Sequence, residues 1–469
     1  MFDLLQSKTS LLLLGGALGI FATGCTVGPD YQAPEFAAPA GYSGLQDQGG
    51  APLAMPEAGQ WWLVFNDAAL NELITQAAAE NRSLRAAYNR WLRAETLIRR
   101  EKAEGLPQVG AEASYTRERL SEETLLQGGD TTQNVYNVGA AASMELDLFG
   151  RVRRLVEAAS ADADAEREAL ADLQLYIETQ VAITYFQICA TEAELVYVEE
   201  SLGTREKSLE VVTKRFEGGA VSDLDVAQAE SLLAGTRADY ARLKRQQAIL
   251  INALSVLTGQ PASEFEVSAK PLEGTPPDIP AGVPSELLLR RPDIRQSERL
   301  LQAANARIGV ATANFYPRFV IAGDIGLSAL DAAQWMKSSA GFWAISPQVS
   351  LPLFEGGRLR ANLDESKLAY AQQVADYEET VLTAFAEVED AVDSWRWLKQ
   401  EREAEARSSD AAIRAQNISA QQYDGGLIDF ITALDSERTA LESQRRLAVA
   451  IGAEYENAVL LVRAIGGSW

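Results

Sequence analysis

The sequence predicts an α+β membrane protein: a trimeric, twelve-stranded β-barrel with four strands per chain, continued by a long α-helical barrel. Three observations predict it. The chain is an internal tandem duplication. Each copy carries two alternating apolar and polar segments of about ten residues, the length of a tilted membrane strand. Each copy also carries a proline-free stretch of about 67 residues, which as one helix is about 100 Å long.

Composition sets the first limits. The chain has 469 residues, 47% of them hydrophobic, a net charge of −24 and a pI near 4.6. Nucleic-acid binding needs a basic footprint and is excluded as a reading. Nor does an acidic surface as a whole attract anionic lipid headgroups. Histidine is absent. That removes the commonest general base, the commonest metal ligand and any Ser-His-Asp triad. The two cysteines, Cys25 and Cys189, form no CxxC, so zinc and dithiol chemistry are not indicated. Cys189 sits in an apolar helical stretch and reads as a small buried side chain.

The first residues are an address. An apolar run from Leu11 to Ala22 follows Lys8 and ends in Ala22-Thr23-Gly24-Cys25. The run is too short to span a bilayer. Residues 1–24 read as a lipoprotein signal and Cys25 as the lipid-bearing residue, although Ala22 stands where the usual pattern has leucine. An ordinary secretory signal would export the chain equally. Thr26, rather than aspartate, follows the cysteine; by the sorting rule for enteric bacteria this implies the outer membrane. Residues 25–60, rich in Pro, Gly and Ala, read as an extended tether.

The duplication shows as collinear pairs. Phe216-Glu217-Gly218-Gly219-Ala220-Val221 matches Tyr423-Asp424-Gly425-Gly426-Leu427-Ile428 at an offset of 207. Gly150-Arg151 and Gly357-Arg358, Glu230 and Glu437, and Gly259 and Gly466 share that offset. A first repeat at 61–260 and a second at 285–469 flank a Pro-rich linker, 261–284. This period is far longer than a solenoid repeat, so the chain is a two-copy domain.

In the first copy, Asn66-Asp67 caps a helix from Ala68 to about Glu104, with a break near Asn81 and a stop at Pro107. A hairpin follows at 108–148. Val109, Ala111, Ala113 and Tyr115 share one face of the first segment, and in the second Tyr136, Val138, Ala140, Ala142, Met144, Leu146 and Leu148 lie opposite Asn137, Ser143, Glu145 and Asp147. Arg117 to Gln133 forms a polar loop between them. A hairpin at 318–354 is the second copy, with Phe319, Ile321, Ile325 and Leu327 opposing Arg318, Asp324 and Ser328, and Trp343, Ile345, Pro347, Val349, Leu351 and Leu353 opposing Ser346, Gln348 and Ser350. Pro347 cannot donate to a ladder, which predicts a bulge or a local gap in that strand. The apolar faces suit lipid and the polar faces a wet lumen. Long helix pairs at 151–258 and 358–466 complete the copies. They carry too many charges to lie in lipid and suit coiled-coil packing in the periplasm.

Four strands cannot close alone. Open edges would leave unpaired amides in hydrocarbon, at several kcal/mol each. Two copies give a barrel filled by its own side chains, and three give the first open bore.

Taken together, Gly24-Cys25-Thr26-Val27-Gly28-Pro29-Asp30-Tyr31, Leu289-Arg290-Arg291-Pro292-Asp293-Ile294, Leu353-Phe354-Glu355-Gly356-Gly357-Arg358 and the paired Gly-Gly turns resemble the TolC-like outer-membrane factors, in their NodT-type lipoprotein branch. The resemblance covers essentially the whole mature chain. It implies a homotrimer in the outer membrane of a Gram-negative bacterium, the exit duct of a tripartite pump. Its partners would be a periplasmic adaptor, an inner-membrane proton-driven RND transporter and outer-membrane lipid. No cofactor is implied beyond a covalent lipid on Cys25, and no enzymatic activity. By similarity, the turns Gly218, Gly219, Ala220, Val221 and Gly425, Gly426, Leu427, Ile428 dock the adaptor, with the four non-glycine residues exposed. Plain turn chemistry explains the same glycines. Asp435 matches an entrance aspartate and Tyr423 a gate tyrosine, while Thr432 stands where the family has a second aspartate. A solvated helical carboxylate is the other reading of Asp435. A type I secretion duct and a coiled-coil envelope lipoprotein are the alternative functions. The carboxylates Glu387, Glu389, Asp390 and Asp393 have the helical spacing of a solvated face, and no nucleophile elbow or phosphate loop accompanies them.

Overall fold

The computed structural model describes residues 26–34, 36, 39, 41, 59–121, 132–279 and 290–467. The signal at 1–24, Cys25, and parts of the tether, the first hairpin loop and the linker lie outside them. The elements are α1 (Ala68–Glu80), α2 (Arg82–Ala103), β1 (Gln108–Arg119), β2 (Thr132–Leu146), α3 (Arg151–Glu217), α4 (Asp223–Leu257), α5 (Pro292–Ala313), β3 (Arg318–Ala329), β4 (Gly341–Ser350), α6 (Arg358–Asp424) and α7 (Phe430–Ala464). The bounds of α3 and α4 recur in α6 and α7 at the offset of 207. Asn81 breaks the first helix in extended backbone; its side chain caps α2 by accepting from the amides of Ser83 and Leu84.

The chain forms two compact units, and each draws on both sequence copies. One comprises Met1–Glu35, Arg90–Arg167 and Gln296–Tyr377; the other comprises Phe36–Asn89, Glu168–Arg295 and Glu378–Trp469.

The first unit holds the sheet, in the order β1-β2-β3-β4, all antiparallel. Two expectations change here. Pairing of β1 with β2 runs on through Arg117↔Asn134 to Arg119↔Thr132, so the loop is shorter than Arg117 to Gln133. Pro347 pairs with Ile321 in unbroken register, without the bulge or gap expected of it. Proline keeps its carbonyl acceptor and its fixed φ suits extended backbone, so the register set by its neighbours survives the loss of one donor. Leu351 and Leu353 lie beyond the end of β4.

Below the sheet, α3 and α5 pack through small side chains, including buried Ala158, Ala161, Ala304 and Ala311. Arg154 is nearly inaccessible there. It donates to the carbonyl oxygens of Val27 and Gly28 and to Asp30, and pairs with Glu157. Gly28, at φ +92°, touches Gly309 so closely that a side chain at Gly28 would collide with backbone. The segment after residue 25 is therefore seated on the fold.

The second unit is helical. Tyr185, Phe186, Ile188, Leu195, Leu243 and Leu254 are fully buried. Trp61 and Phe65, in a short 3-10 turn, pack with this core; Phe65 and Phe186 ring centroids are 5.1 Å apart. Buried Arg291 holds Asp293, Glu387 and the carbonyl of Ala464. Burial works against its charge, but Asp293 and Glu387 raise the guanidinium pKa above its ordinary value. Glu387, on the expected solvated face and 43% exposed, is also the ion-pair partner of Arg291. One stretch of α3 is long and apolar enough to cross a membrane, and most of it is buried within the fold, as in a core helix.

Candidate channel wall and helix-pair tips

The register assigns each strand residue to a face. Val109, Ala111, Ala113 and Tyr115 lie opposite Ala142, Ala140, Val138 and Tyr136. That face continues through Ile325 and Leu327 of β3 to Trp343, Ile345 and Val349 of β4. Val109, Ile325, Trp343 and Ile345 are 65–74% exposed. In water such a surface would be costly, at roughly 25 cal/mol per Å² of apolar area. In hydrocarbon it is at home.

The other face carries Glu112, Ser114, Asn137, Ser143, Asp324, Ser346 and Gln348. Gly139 and Gly326 face each other there, and a side chain on either would strike the neighbouring strand. Near the end of β2, Glu145 accepts from Arg151 at 2.8 and 2.9 Å and from Arg318 at 2.5 Å. These charges sit on the polar face, away from the apolar one.

The tips belong to the second unit. Both turns are built alike. The Gly219 amide donates to Phe216 and the Ala220 amide to Arg215; the Gly426 amide donates to Tyr423 and the Leu427 amide to Gln422. With Gly219 at φ +73° and Gly426 at φ +70°, each is a Schellman stop. Ser222 and Asp225 then form a capping box at the start of α4. Asp429 caps α7 by accepting from the Thr432 amide at 2.9 Å. The Thr432 side chain and amide hold the Asp429 carboxyl below the usual carboxylate range.

Not all the tip residues are exposed as expected. Ala220 is exposed and Leu427 is 76% exposed, but Val221 and Ile428 are half-buried. Val221 packs on a cluster of Val212, Ala229 and Phe430, so it closes the turn rather than presenting a free contact.

Tyr423 joins the two copies. Arg215 of α3 donates to its hydroxyl at 3.0 Å, and its ring lies 5.4 Å from Phe430. Asp435 is exposed and accepts from Arg438, one turn on, at 2.7 Å. Thr432 is exposed, and its role here is its amide, held by the cap.

Sequence reasoning missed the arginines that tie the first helix pair to the second. Arg205 of α3 donates to Glu437 of α7 at 2.9 Å and also bonds Thr236 of α4. Arg445 of α7 reaches Glu194 of α3 at 3.1 Å and Asp239 of α4 at 3.5 Å. A cleft between α4 and α7 runs past Asp435, Arg438, Thr236 and Arg205. The Glu230–Glu437 repeat pair was the available signal; its partner, 232 residues away, carries no local pattern. Among the described residues, no group of three or more His, Cys, Asp or Glu side chains is placed to hold a metal ion.

The family profile described as outer membrane efflux protein matches this chain twice, over residues 73–260 and 283–467. The solvent efflux pump outer membrane protein SrpC of Pseudomonas putida is 34% identical, covering 98% of this chain and 97% of its own. The antibiotic efflux pump outer membrane protein ArpC of the same species is 35% identical, covering 99% and 96%. The solved outer-membrane channel OprN superposes with a TM-score of 0.87 at 31% identity, covering 94% of this chain and 99% of OprN.

Proposed function

The chain belongs to the outer membrane efflux protein family, and on that premise we propose that three copies close their sheets into one barrel that serves as the exit duct of a tripartite efflux pump. The observation that carries the reading is the four-stranded sheet with free edges at β1 and β4, apolar on one face and polar on the other. Such a sheet satisfies its edge amides in a membrane only by borrowing strands. A bore of twelve strands is open, and its polar face lines the path.

A periplasmic adaptor and an inner-membrane RND transporter complete the machine in this reading. The exposed Ala220 and Leu427 are the apolar contacts offered to the adaptor. Relatives are named for solvents and for antibiotics, so the duct accepts dissimilar cargo and its partners choose it. Cys25 carries the lipid anchor, the feature that Thr26 and the apolar run before it support.

Asp435 supplies one carboxylate per copy at the entrance, weakened by Arg438 beside it. In planar bilayers the purified protein should conduct and favour cations. Asp435→Asn should reduce that preference, and Arg438→Gln should increase it. Conductance with selectivity indifferent to both changes would refute the entrance ring; no conductance at all would refute the duct.

A further inference from the structure

We propose that an anionic phospholipid sits in the seam between neighbouring copies, its phosphate held by Arg99 and Lys102 of one copy and Arg360 of the next. The inference rests on the closed-barrel reading above.

The sheet order fixes which residues meet. β1 and β4 are the edges, and the start of β1 and the end of β4 lie at the same end of the antiparallel sheet. Closure lays β4 of one copy against β1 of the next, about 4.8 Å away. The end of α2, which leads into β1, then adjoins the start of α6, which follows β4.

Charge at these junctions runs against the rest of the molecule. The chain carries −24 overall. The segment 99–107 has Arg99, Arg100 and Lys102 against Glu101 and Glu104; the segment 354–360 has Arg358 and Arg360 against Glu355. Each seam is therefore +2. The segment that joins β1 to β2 at the opposite end of the sheet, residues 120–131, is −3, with Glu122, Glu123 and Asp130 and no basic residue.

Pairing sharpens the point. The arginines at the two inner junctions are all engaged: Arg151 and Arg318 with Glu145, Arg153 with Asp147, Arg154 with Asp30 and Glu157. At the edge junctions every carboxylate already has a cation of its own chain. Glu101 holds Arg100 at 2.7 Å, Glu355 holds Arg358, and Glu104 lies 4.0 Å from Arg151. That leaves Arg99, Lys102 and Arg360, all exposed and without an ion pair among the described residues. Closing the barrel brings three like charges together, with no carboxylate of residues 99–107 or 354–360 left unpaired.

The surroundings say what kind of anion answers them. Leu106 is 59% exposed, Leu353 88% and Phe354 90%, and they flank the cations where the lipid-facing strands end. A free phosphate has no use for that apolar surface, but a lipid does: acyl chain on Leu106, Leu353 and Phe354, phosphate on the cations. This is where headgroups lie when the sheet spans hydrocarbon, and basic side chains there attract anionic lipids.

The test uses the full-length protein purified in a neutral detergent and stripped of lipid. Cardiolipin should raise the trimer's dissociation midpoint on heating by about 3–4 °C, the scale expected of a ligand well above its Kd for a chain of this length. Phosphatidylcholine and inorganic phosphate should not. The rise should shrink at high salt. The double variant Lys102→Gln, Arg360→Gln should lose the response, while Lys207→Gln in the second unit keeps it. A response to inorganic phosphate equal to that of cardiolipin would assign the cations to a free anion and overturn the lipid. An equal cardiolipin response in the double variant, or none in the wild-type trimer, would also overturn the proposal. If the double variant does not assemble, native mass spectrometry of the wild-type trimer decides: retained cardiolipin in preference to phosphatidylcholine supports the seam site, and no preference sinks it. A protein that is monomeric before any lipid is added would instead refute the barrel reading beneath it.

Discussion

At the scale of single residues, buried ion pairs join the two sequence copies within the helical unit, and breaking one would be costly. Arg205 is the clearest. Its guanidinium and Glu437 are both largely buried, so removing one partner strands the other charge. Arg205→Ala should cost about 3–5 kcal/mol. Thermal unfolding of the purified variant against wild type measures it, and an unchanged midpoint would mean that the pair is idle. Cys189 makes a second prediction. Burial pushes its thiol up to about 11, so the reactive thiolate is scarce at ordinary pH. Iodoacetamide at pH 8 should leave Cys189 unmodified in the folded protein and alkylate it after unfolding, as peptide mass spectrometry would record. Rapid modification of the native state would contradict its placement in the core. The apolar stretch around Cys189 already indicated burial. Arg205 was not legible, because an arginine on a charged helix looks alike whether it faces solvent or a carboxylate 232 residues away.

At the scale of elements, the tip turns separate two glycines that look equivalent in sequence. Gly219 and Gly426 have left-handed backbone with open space around them. Alanine there meets no neighbour and is opposed by its own backbone alone, at about 1–2 kcal/mol. Gly218 has ordinary backbone, and an added Cβ would sit at normal contact distance, 3.5 Å from the Lys214 oxygen. Gly219→Ala should therefore lower the melting midpoint and open the turn to protease, while Gly218→Ala should do neither. Equal behaviour of the two variants would remove the Schellman stop from the account. The helices themselves were plain in the sequence. Proline-free runs between Gly-Gly stops gave α3 and α6 their ends. Pro347 misled because a proline removes one donor while its fixed φ suits extended backbone, so the register its neighbours set can run through it. Val221 misled because a turn residue can fold back onto Phe430, another partner with no local pattern.

At the scale of the whole molecule, the duplication is a way of making a wall from one chain. Each copy supplies a hairpin and a long helix pair, and the hairpins of both copies join in one sheet. The alternation of faces along four strands was legible because lipid and water impose a period of two. Strand order was not, since β2 and β3 meet across more than 170 residues of chain, Leu146 pairing with Phe319. The central claim is that this sheet is a fraction of a barrel completed by further copies. Native mass spectrometry of the purified protein, released from detergent micelles, tests it most directly. The account predicts a particle of three chains that resists dissociation until heated. A particle of one chain, stable without detergent, would contradict it.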